Sequence, residues 1–309
     1  MEFRKSNEQD KHAIIELLKS SLGETSSPKN LNYWIWKHEQ NPFGKSEVLI
    51  CDGINRISGV RAMMPWIWQL GQKQFKTFRA VDTATHPADQ GKGIFKKLTL
   101  AMLGELQHIA GDFIFNTPNS QSLPGYLKMD WQKWGCIPVS IVPIFFTSAA
   151  SAQAQSATTN IDLTASLCSA WNEACVKKGT LFTPKSPAYL KWRYLDNPVI
   201  SYSVYADEDI FLAAYIKKHR FFNELRIAEC ITVSPPGLIK SRIKGFLNSL
   251  LQHNKAAVIT LSKDAGKCLS GLCFTLPVGP LLTTRLLNTS LQIPDLKNWS
   301  PSIGDLELM

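Results

Sequence analysis

The chain has 309 residues, of which 44% are hydrophobic and 19% charged, a composition that suits a globular protein with one large core or two. Its 34 Lys and Arg against 25 Asp and Glu give a net charge of +9. This surplus is spread along the chain without a long run of like charges, which disfavours a dedicated nucleic-acid surface.

The ends and the cysteines indicate the compartment. The N-terminal run MEFRKSNEQDKHAIIELL is charged and lacks the apolar centre of a signal peptide. The most apolar run, Ile141–Phe146, is too short to span a bilayer. The 7 cysteines include no CxxC pair, and no histidine stands at metal-ligand spacing. We therefore predict a cytoplasmic protein with reduced cysteines, no membrane insertion and no metal.

The first structured elements alternate between apolar and polar residues. SEVLICDGINRISGVRAMM, residues 46–64, predicts a strand, a turn and a second strand, and FRAVDTAT, residues 78–85, predicts a further strand. A turn with a proline follows, and then an amphipathic helix begins. The residues of its apolar face are Phe95, Leu98, Met102 and Leu106.

A glycine turn joins this strand to this helix, in the sequence THPADQGKGIFKKL of residues 85–98. Backbone N–H groups at a helix start have no intrahelical partner, and the helix dipole adds about half a positive charge there. Gly91 and Gly93 allow a bulky diphosphate to approach the backbone, and lysines 92, 96 and 97 surround the turn. The alternative is a glycine turn that only starts the helix.

Two common nucleotide motifs do not fit this turn. A P-loop needs Gly-Lys followed by Ser or Thr, whereas Lys92 precedes the second glycine. The dinucleotide motif needs a third glycine where Lys96 stands. Neither a nucleoside triphosphate nor a dinucleotide is therefore indicated.

A second pattern follows downstream. FIFNTPNSQS, residues 113–122, predicts a strand that ends in an Asn-rich loop, and Tyr126-Leu127-Lys128-Met129-Asp130-Trp131 comes next. Beyond it, SAASAQAQSATT at 148–159 consists only of Ser, Ala, Gln and Thr, which favours a linker over a short Ala-rich helix.

The chain contains an internal repeat. YWIWKHEQNP begins at Tyr33 and YLKWRYLDNP at Tyr189, so the copies lie 189 − 33 = 156 residues apart. Two alternating segments follow the second copy, at 202–219 and 225–233, and then a helix with an apolar face. That second half carries PPGLIKS in place of the Gly-x-Gly turn. The residues of its helical face are Ile239, Ile243, Phe246 and Leu250. We predict two α/β domains of one type, at 1–147 and 161–309, joined by a linker at 148–160.

Together the glycine turn and the tyrosine segment resemble the GNAT superfamily of N-acyltransferases. Gln90-Gly91-Lys92-Gly93-Ile94 is similar to its coenzyme A pyrophosphate loop, Arg/Gln-x-x-Gly-x-Gly/Ala, with Phe95 at the last position. Tyr126 to Trp131 resembles its Tyr-x-Lys-x-Gly-Phe segment, with Asp130 for Gly and Trp131 for Phe. The resemblance covers about residues 1 to 145. The second half would be a degenerate GNAT-like domain, with Lys267 to Leu272 as the counterpart of the tyrosine segment.

This resemblance implies a fold and a co-substrate. Each domain would be a mixed, mostly antiparallel sheet flanked by helices. Acetyl-CoA or another acyl-CoA would bind with its pyrophosphate on the glycine turn and its pantetheine between the strands at about 79–85 and 112–116, where backbone N–H groups polarise the thioester. The co-substrate-binding residues would be Thr83, Ala84, Thr85, Gln90, Gly91, Lys92, Gly93, Ile94, Phe95, Asn116 and Asn119.

Two residues are candidates for catalysis. The family's tyrosine protonates the leaving thiolate, which gives Tyr126 this role; the alternative is an ordinary half-buried helix tyrosine. Asp82 is the candidate base, with a raised pKa if it is desolvated; the alternative is a carboxylate that holds a neighbouring loop or Arg79. His86 suits the rim of the site. Asn116 and Asn119 could instead close Asx turns.

The sequence thus predicts an N-acyltransferase that moves an acetyl or other acyl group from coenzyme A to a small-molecule primary amine. Similar two-part proteins suggest a nucleotide-linked amino sugar of polysaccharide synthesis as the first acceptor to consider. One alternative is a Fem-type aminoacyl transferase, which tRNA dependence would reveal. Another is a non-catalytic acyl-CoA-binding module, which would release no CoA with any amine.

Overall fold

The structure is a computed structural model that describes residues 2–24, 28–144, 161–268 and 273–306. The predicted linker at 148–160 lies outside the described residues, as does most of the predicted counterpart of the tyrosine segment. The strands are β1 (Glu2–Lys5), β2 (Glu47–Asp52), β3 (Ile57–Leu70), β4 (Lys73–Thr85), β5 (Phe113–Asn116), β6 (Gln132–Cys136), β7 (Val139–Pro143), β8 (Ser203–Ala206), β9 (Ile210–Lys218), β10 (Asn223–Thr232), β11 (Ala256–Ser262), β12 (Phe274–Leu276) and β13 (Leu281–Leu286). The helices are α1 (Lys11–Leu22), α2 (Leu31–His38), α3 (Ile94–His108), α4 (Leu123–Leu127), α5 (Thr164–Lys178), α6 (Pro187–Leu190), α7 (Pro236–His253) and α8 (Ile303–Leu306).

The strands form two sheets of the predicted class. The first has seven strands in the order β1-β2-β3-β4-β5-β13-β6, and the second has six in the order β12-β7-β11-β10-β9-β8. In each sheet one pair is parallel, β4 with β5 and β10 with β11, and the other described pairs are antiparallel. The prediction of two mixed, mostly antiparallel sheets flanked by helices is confirmed. The sequence reading missed the long hairpin of β3 and β4, which turns at Gly71 with φ +57°.

The two halves exchange one strand each. Strand β7, from the first half, pairs with β11 and β12 of the second sheet, while β13, from the second half, pairs with β5 and β6 of the first sheet. The predicted boundaries at 147 and 161 stay a prediction, but strand pairing crosses them in both directions. Neither sheet is complete without the other half, so every experiment proposed below uses the full chain.

Helix α3 covers the first sheet because its apolar residues recur on one side. Leu98, Met102 and Leu106 are buried and pack with Phe78 and Ile114 of the sheet. Helix α7 covers the second sheet in the same way through Ile239 and Ile243, with Leu247 and Leu251 more deeply buried than the predicted Phe246 and Leu250. The predicted faces are therefore the ones that pack on the sheets, although Phe95, Phe246 and Leu250 at their edges are only partly buried.

The repeated motifs meet at the centre of the molecule. Trp36 and Trp192, equivalent residues of the two copies, stack with ring centroids 5.0 Å apart. Each indole N–H donates to the main-chain oxygen of the other residue, at 2.8 Å in both directions. Each copy of the motif thus makes the same hydrogen bond to the other.

No helix in the described ranges is long and apolar enough to cross a membrane. Among the six cysteines that the structure describes as free, Cys51, Cys168 and Cys175 are buried and Cys136 is exposed. Half of these described cysteines are therefore buried.

Candidate active site

The candidate site is a cleft that opens where two parallel strands separate. β4 and β5 are paired only from Thr77 to Arg79 on β4 and from Phe113 to Phe115 on β5. Strand β4 then continues to Thr85, whereas β5 ends at Asn116 and the chain turns away. A cavity of about 1090 Å³ lies along this divergence. Its walls include most of the residues predicted from sequence, namely Asp82, Thr83, Ala84, Thr85, Phe95, Asn116, Asn119 and Tyr126.

A β-bulge shapes the β4 side of the cleft. Thr83 pairs with Arg61 and Val81 pairs with Ala62 on β3, so Asp82 is the extra residue between them. Its φ of +36° is in a region that non-glycine residues seldom occupy. The bulge interrupts the ladder on the strand that lines the cleft, and it turns the Asp82 side chain toward helix α2.

Asp82 is held by two basic side chains of α2. Its Oδ2 lies 2.7 Å from Lys37 Nζ and 2.8 Å from His38 Nε2. Burial disfavours the charged carboxylate, but Lys37 and His38 outweigh burial and hold the pKa of Asp82 well below its usual range. The predicted rise in this pKa is therefore wrong, because no pattern near Asp82 in the sequence indicates that α2 brings two basic side chains to it. A carboxylate held in this way is a weak base.

This geometry matches the alternative in which Asp82 holds neighbouring groups, although its partners are not Arg79. His38 is buried and lies 2.9 Å from Ser46 Oγ through Nδ1, so both of its ring nitrogens are engaged. Arg79 donates instead to the main-chain oxygens of Asp305 and Leu306. His86 caps the short turn after β4 by accepting from Ala88 N–H at 3.2 Å, and its place at the rim of the site stays a prediction.

The glycine turn has the geometry that its sequence predicts. Gly91 and Gly93 have φ of +79° and +75°, a left-handed conformation that favours glycine. Gly93 is the N-cap of α3, and no side chain caps this helix end. Within the described residues, no hydrogen bond engages the backbone N–H groups of Gly91, Lys92 and Gly93. The turn therefore presents unpaired donors at a helix start, as an anion site requires.

The side chains of the turn differ in what they can contact. Lys92 Nζ forms an ion pair with Asp89 at 2.7 Å, so part of the predicted positive charge is compensated within the turn. Ile94 is buried in the core beneath α3, which leaves only its backbone for a ligand. Gln90 is exposed, and its amide lies 3.5 Å from the main-chain oxygen of Thr85.

Phe95, which departs from the family's loop pattern, has a partner. Its ring contacts Tyr126 edge to face with centroids 5.5 Å apart. A Cβ at residue 125 would lie 2.9 Å from the Phe95 ring, so glycine at that position makes the contact possible. Phe95 therefore belongs to the wall that holds Tyr126.

Tyr126 contacts a charged residue that the sequence reading missed. Its ring is buried, and its Oη accepts a hydrogen bond from Arg61 Nη1 at 2.8 Å. Arg61 is fully buried and also donates to Thr83 Oγ1. Its Nε and Nη2 have no hydrogen-bond partner among the described residues. The available signal was an arginine within the otherwise uncharged strand sequence ISGVRAMMPWIWQL.

The two asparagines line the opposite wall of the cleft. Asn116 is buried, and its Oδ1 accepts from Thr283 of the exchanged strand β13. Asn119 Oδ1 accepts from the Ser122 backbone N–H at 2.9 Å, as the turn-closing alternative predicts. Both amide nitrogens remain available to the cleft within the described residues.

Basic residues dominate the cleft walls. Lys29, Lys37, Arg79 and Lys217 line the cavity, and Asp82 is the one carboxylate in its described lining. Burial lowers the pKa of Lys29, the opposite of the effect expected beside an acid. Lys217 comes from β9, so the second domain contributes directly to this site. The described residues contain no group of three or more His, Cys, Asp or Glu that could hold a metal ion.

Comparisons with known proteins agree with this geometry. A family model described as an acetyltransferase (GNAT) domain matches residues 2–134. No curated protein matches the sequence. Similar solved structures include a GCN5-related N-acetyltransferase from Anabaena variabilis ATCC 29413, with 14% identity and a TM-score of 0.64 over 93% of this chain and 73% of that chain.

Two further structures are similar in fold. Eis1 from Mycobacterium abscessus has 11% identity and a TM-score of 0.55, over 93% of this chain and 74% of its own. Saccharomyces cerevisiae N-myristoyltransferase with bound myristoyl-CoA has 10% identity and a TM-score of 0.56, over 100% of this chain and 89% of its own. At these identities the likeness establishes the fold.

Proposed function

We propose that this chain is an acyl-CoA-dependent N-acyltransferase of the GNAT superfamily and that it transfers its acyl group to a primary amine in the cleft between β4 and β5. The observation that carries the proposal is the position of the Tyr126 hydroxyl. Tyr126 lines the cleft, its hydroxyl is held by Arg61, and its ring contacts Phe95 of the helix whose N-terminal glycine turn offers unpaired N–H donors. Proton donation is thus available in the cleft, and anion binding at the adjoining glycine turn, which Phe95 connects to the cleft wall.

The co-substrate would bind along the predicted residues. The pyrophosphate suits the backbone N–H groups of the turn from Gln90 to Phe95, where the helix dipole adds to the attraction. The pantetheine suits the divergence between Thr83–Thr85 and Asn116, whose amide groups match its own. The fold neighbour that holds myristoyl-CoA supports acyl-CoA as the class of donor.

Tyr126 would provide the proton that the leaving sulfur needs. When Oη gives up its proton, the phenolate that remains lies 2.8 Å from the Arg61 guanidinium. Because Arg61 is fully buried, its charge acts on this phenolate with little screening by water. Arg61 would therefore be a positioning residue that also stabilises Tyr126 after proton transfer.

The attacking amine must first lose its own proton. Asp82 is poorly suited to accept it, since Lys37 and His38 already stabilise its charge. Four basic side chains around the cavity disfavour an ammonium ion and favour the neutral amine. We therefore assign the proton to water in the cleft, and we assign Asp82 to holding Lys37 and His38 in place.

A test of this function measures CoA release from acetyl-CoA with a panel of primary amines that includes amino sugars. At least one amine should accelerate CoA release and appear as its N-acyl product in mass spectrometry. Acyl-CoA binding without release by any amine would indicate the non-catalytic alternative. Dependence on charged tRNA would indicate the Fem-type alternative. An amino sugar of polysaccharide synthesis stays the first acceptor to test.

The glycine turn yields a specific prediction. Gly93→Ala should raise the Kd for acetyl-CoA about tenfold in isothermal titration calorimetry, because a Cβ at φ +75° costs about 1–2 kcal/mol and moves the N–H donors. Gly104→Ala is the matched control, since Gly104 lies within α3, needs no left-handed φ and also has open space around its Cβ. Equal affinities in the two variants would refute a role for the turn.

A second prediction concerns Arg61. Arg61→Met should lower kcat about tenfold through the lost charge-assisted hydrogen bond, while the Kd for acetyl-CoA stays within about twofold. Arg61→Lys should recover part of the loss, because it restores a cation near Tyr126 Oη, whereas a purely packing role would favour Met over Lys. Unchanged kcat in Arg61→Met would contradict the assignment.

A further inference from the structure

A second cavity adjoins the cleft. It has a volume of about 460 Å³ and lies between the second sheet and the segment at 301–306. Lys217 lines both cavities. The two are also linked through the hydrogen bond from Arg79, which lines the cleft, to the main-chain oxygen of Leu306, which lines the second cavity. A molecule in the second cavity can therefore reach the cleft beside Lys217.

The walls of the second cavity are mainly apolar. Glu224 is buried there, but Arg226 donates to both of its oxygens, at 2.7 and 2.9 Å, and His219 Nε2 lies 2.6 Å from Oε2. The hydrogen-bonding capacity of this carboxylate is thus satisfied within the wall, so it needs no cation from a ligand. The apolar lining comes from the start of β7 and the residues before it, from the residues just before β13, and from α8. These residues are Ile137, Val139, Val278, Pro280, Ile303 and Leu306.

Lys217 differs from the other charged groups of these walls. It is half-buried, and its side chain makes no hydrogen bond or ion pair with any described residue; Glu224 lies opposite it on β10, but Arg226 and His219 engage that carboxylate. Its neighbours in the cleft lining are three more basic residues and one carboxylate, which Lys37 already binds. A half-buried ammonium group in such surroundings gains most from an anion that arrives with a ligand.

The co-substrate is a poor source for that anion. Its pyrophosphate is assigned to the glycine turn, and of the residues Gln90 to Phe95 only Phe95 lines the cleft at all. Lys217 instead lies where the cleft meets the apolar cavity, on a strand of the other domain. An acyl chain in that cavity would have to pass the ammonium group, which disfavours a long acyl group there.

We infer that the acyl acceptor is an amine that also carries a carboxylate or phosphate, with this anion bound by Lys217 and its apolar portion in the second cavity. The inference rests on the proposed acyl transfer and specifies its acceptor. It assigns the second domain a direct part in recognition. It also agrees with the cationic cleft, which attracts the anion and keeps the amine neutral for attack.

The test uses pairs of amines that differ only in the anionic group. Phenylalanine is compared with phenylalaninamide, and glucosamine 6-phosphate with glucosamine, so that the two pairs separate a carboxylate from a phosphate. The measured quantity is kcat/KM for CoA release from acetyl-CoA by the full chain, as the ratio within each pair. Because paired amines differ in intrinsic reactivity, the decisive value is the change in this ratio between the wild type and Lys217→Met.

We expect Lys217→Met to lower the ratio about tenfold for at least one pair, through KM of the anionic amine, with the Kd for acetyl-CoA unchanged. Lys218→Met is the matched control, since Lys218 is the exposed neighbour on the same strand and lines neither cavity, and its ratios should equal those of the wild type. Ratios that Lys217→Met leaves unchanged in both pairs, while CoA is still released, would overturn the inference and leave the proposed function standing. Failure of every amine to release CoA would overturn the proposed function, and the inference with it.

Discussion

Replacing Tyr126 by phenylalanine is expected to lower kcat for acyl transfer by about two orders of magnitude, the usual contribution of a positioned proton donor. The substitution removes Oη alone. The ring stays between Phe95 and Trp131, with centroids 5.5 and 5.2 Å away. The Kd for acetyl-CoA should therefore change by less than about twofold, because the turn and the diverging strands keep their geometry.

A matched variant separates this effect from the general loss of a tyrosine hydroxyl. Tyr205 lies in the second domain, where its hydroxyl donates to Asp207 at 2.7 Å, and it lines neither cavity. Tyr205→Phe should keep kcat near the wild-type value. Thermal melting of both variants measures whether the protein is destabilised when Arg61 loses the Tyr126 hydroxyl as its hydrogen-bond acceptor. A Tyr126→Phe protein with full kcat would remove Tyr126 from the mechanism and leave the sulfur to be protonated by water.

The parts of the site that the sequence predicted are local in the chain. The turn at Gly91 and Gly93 joins a strand to a helix. Its left-handed φ values belong to two glycines that are only two residues apart in the sequence. The same holds for Tyr126, which a short helix places beside that turn. Such segments can be recognised because their conformation depends on neighbours in sequence.

The parts that the sequence could not predict depend on distant contacts. Asp82 meets Lys37 and His38, the latter across 44 residues, and these two partners reverse the pKa shift that burial alone would cause. Arg61 reaches Tyr126 across 65 residues. Lys217 enters the cleft from the other domain. A periodic pattern within one segment does not indicate which charged side chains of other segments will lie near it. The electrostatics of the site therefore could not be predicted from the sequence.

The internal repeat was predictable, but its structural role was not. Trp36 and Trp192 are equivalent residues of the two copies. Each indole N–H donates to the main-chain oxygen of the other tryptophan, 156 residues away, where the two domains meet. The exchange of β7 and β13 has the same consequence, since each half completes the sheet of the other. The second domain therefore remains necessary even without a glycine turn, because it closes the first sheet and supplies Lys217.

A buried ionic network fixes the segment that joins the second domain to the cleft. Lys185 is fully buried, and its Nζ lies 2.8 Å from Glu229 Oε2 and 2.7 Å from Asp305 Oδ1. Tyr189 and Tyr194 donate to the same two carboxylates, at 2.6 and 3.0 Å. The main-chain oxygen of Asp305 in turn accepts from Arg79 at the base of the cleft. One lysine thus holds two acids that position α8 against the active site.

Lys185→Met should consequently destabilise the full chain by about 3–5 kcal/mol, because it leaves two buried carboxylates without their cation. Lys191→Met is the matched control: its ion pair with Asp196 is exposed, and its loss should cost about 1 kcal/mol or less. Burial raises the pKa of Glu229, so the Lys185→Met protein should regain stability as the pH falls from about 8 to about 5, where the native state takes up protons that the unfolded state has not yet bound. Adding Glu229→Gln should recover part of the loss at neutral pH, since it removes one of the unpaired charges. Denaturant melts of the wild type and these three variants measure the differences, and a Lys185→Met protein no less stable than Lys191→Met would show that the buried network contributes no more to stability than an exposed ion pair.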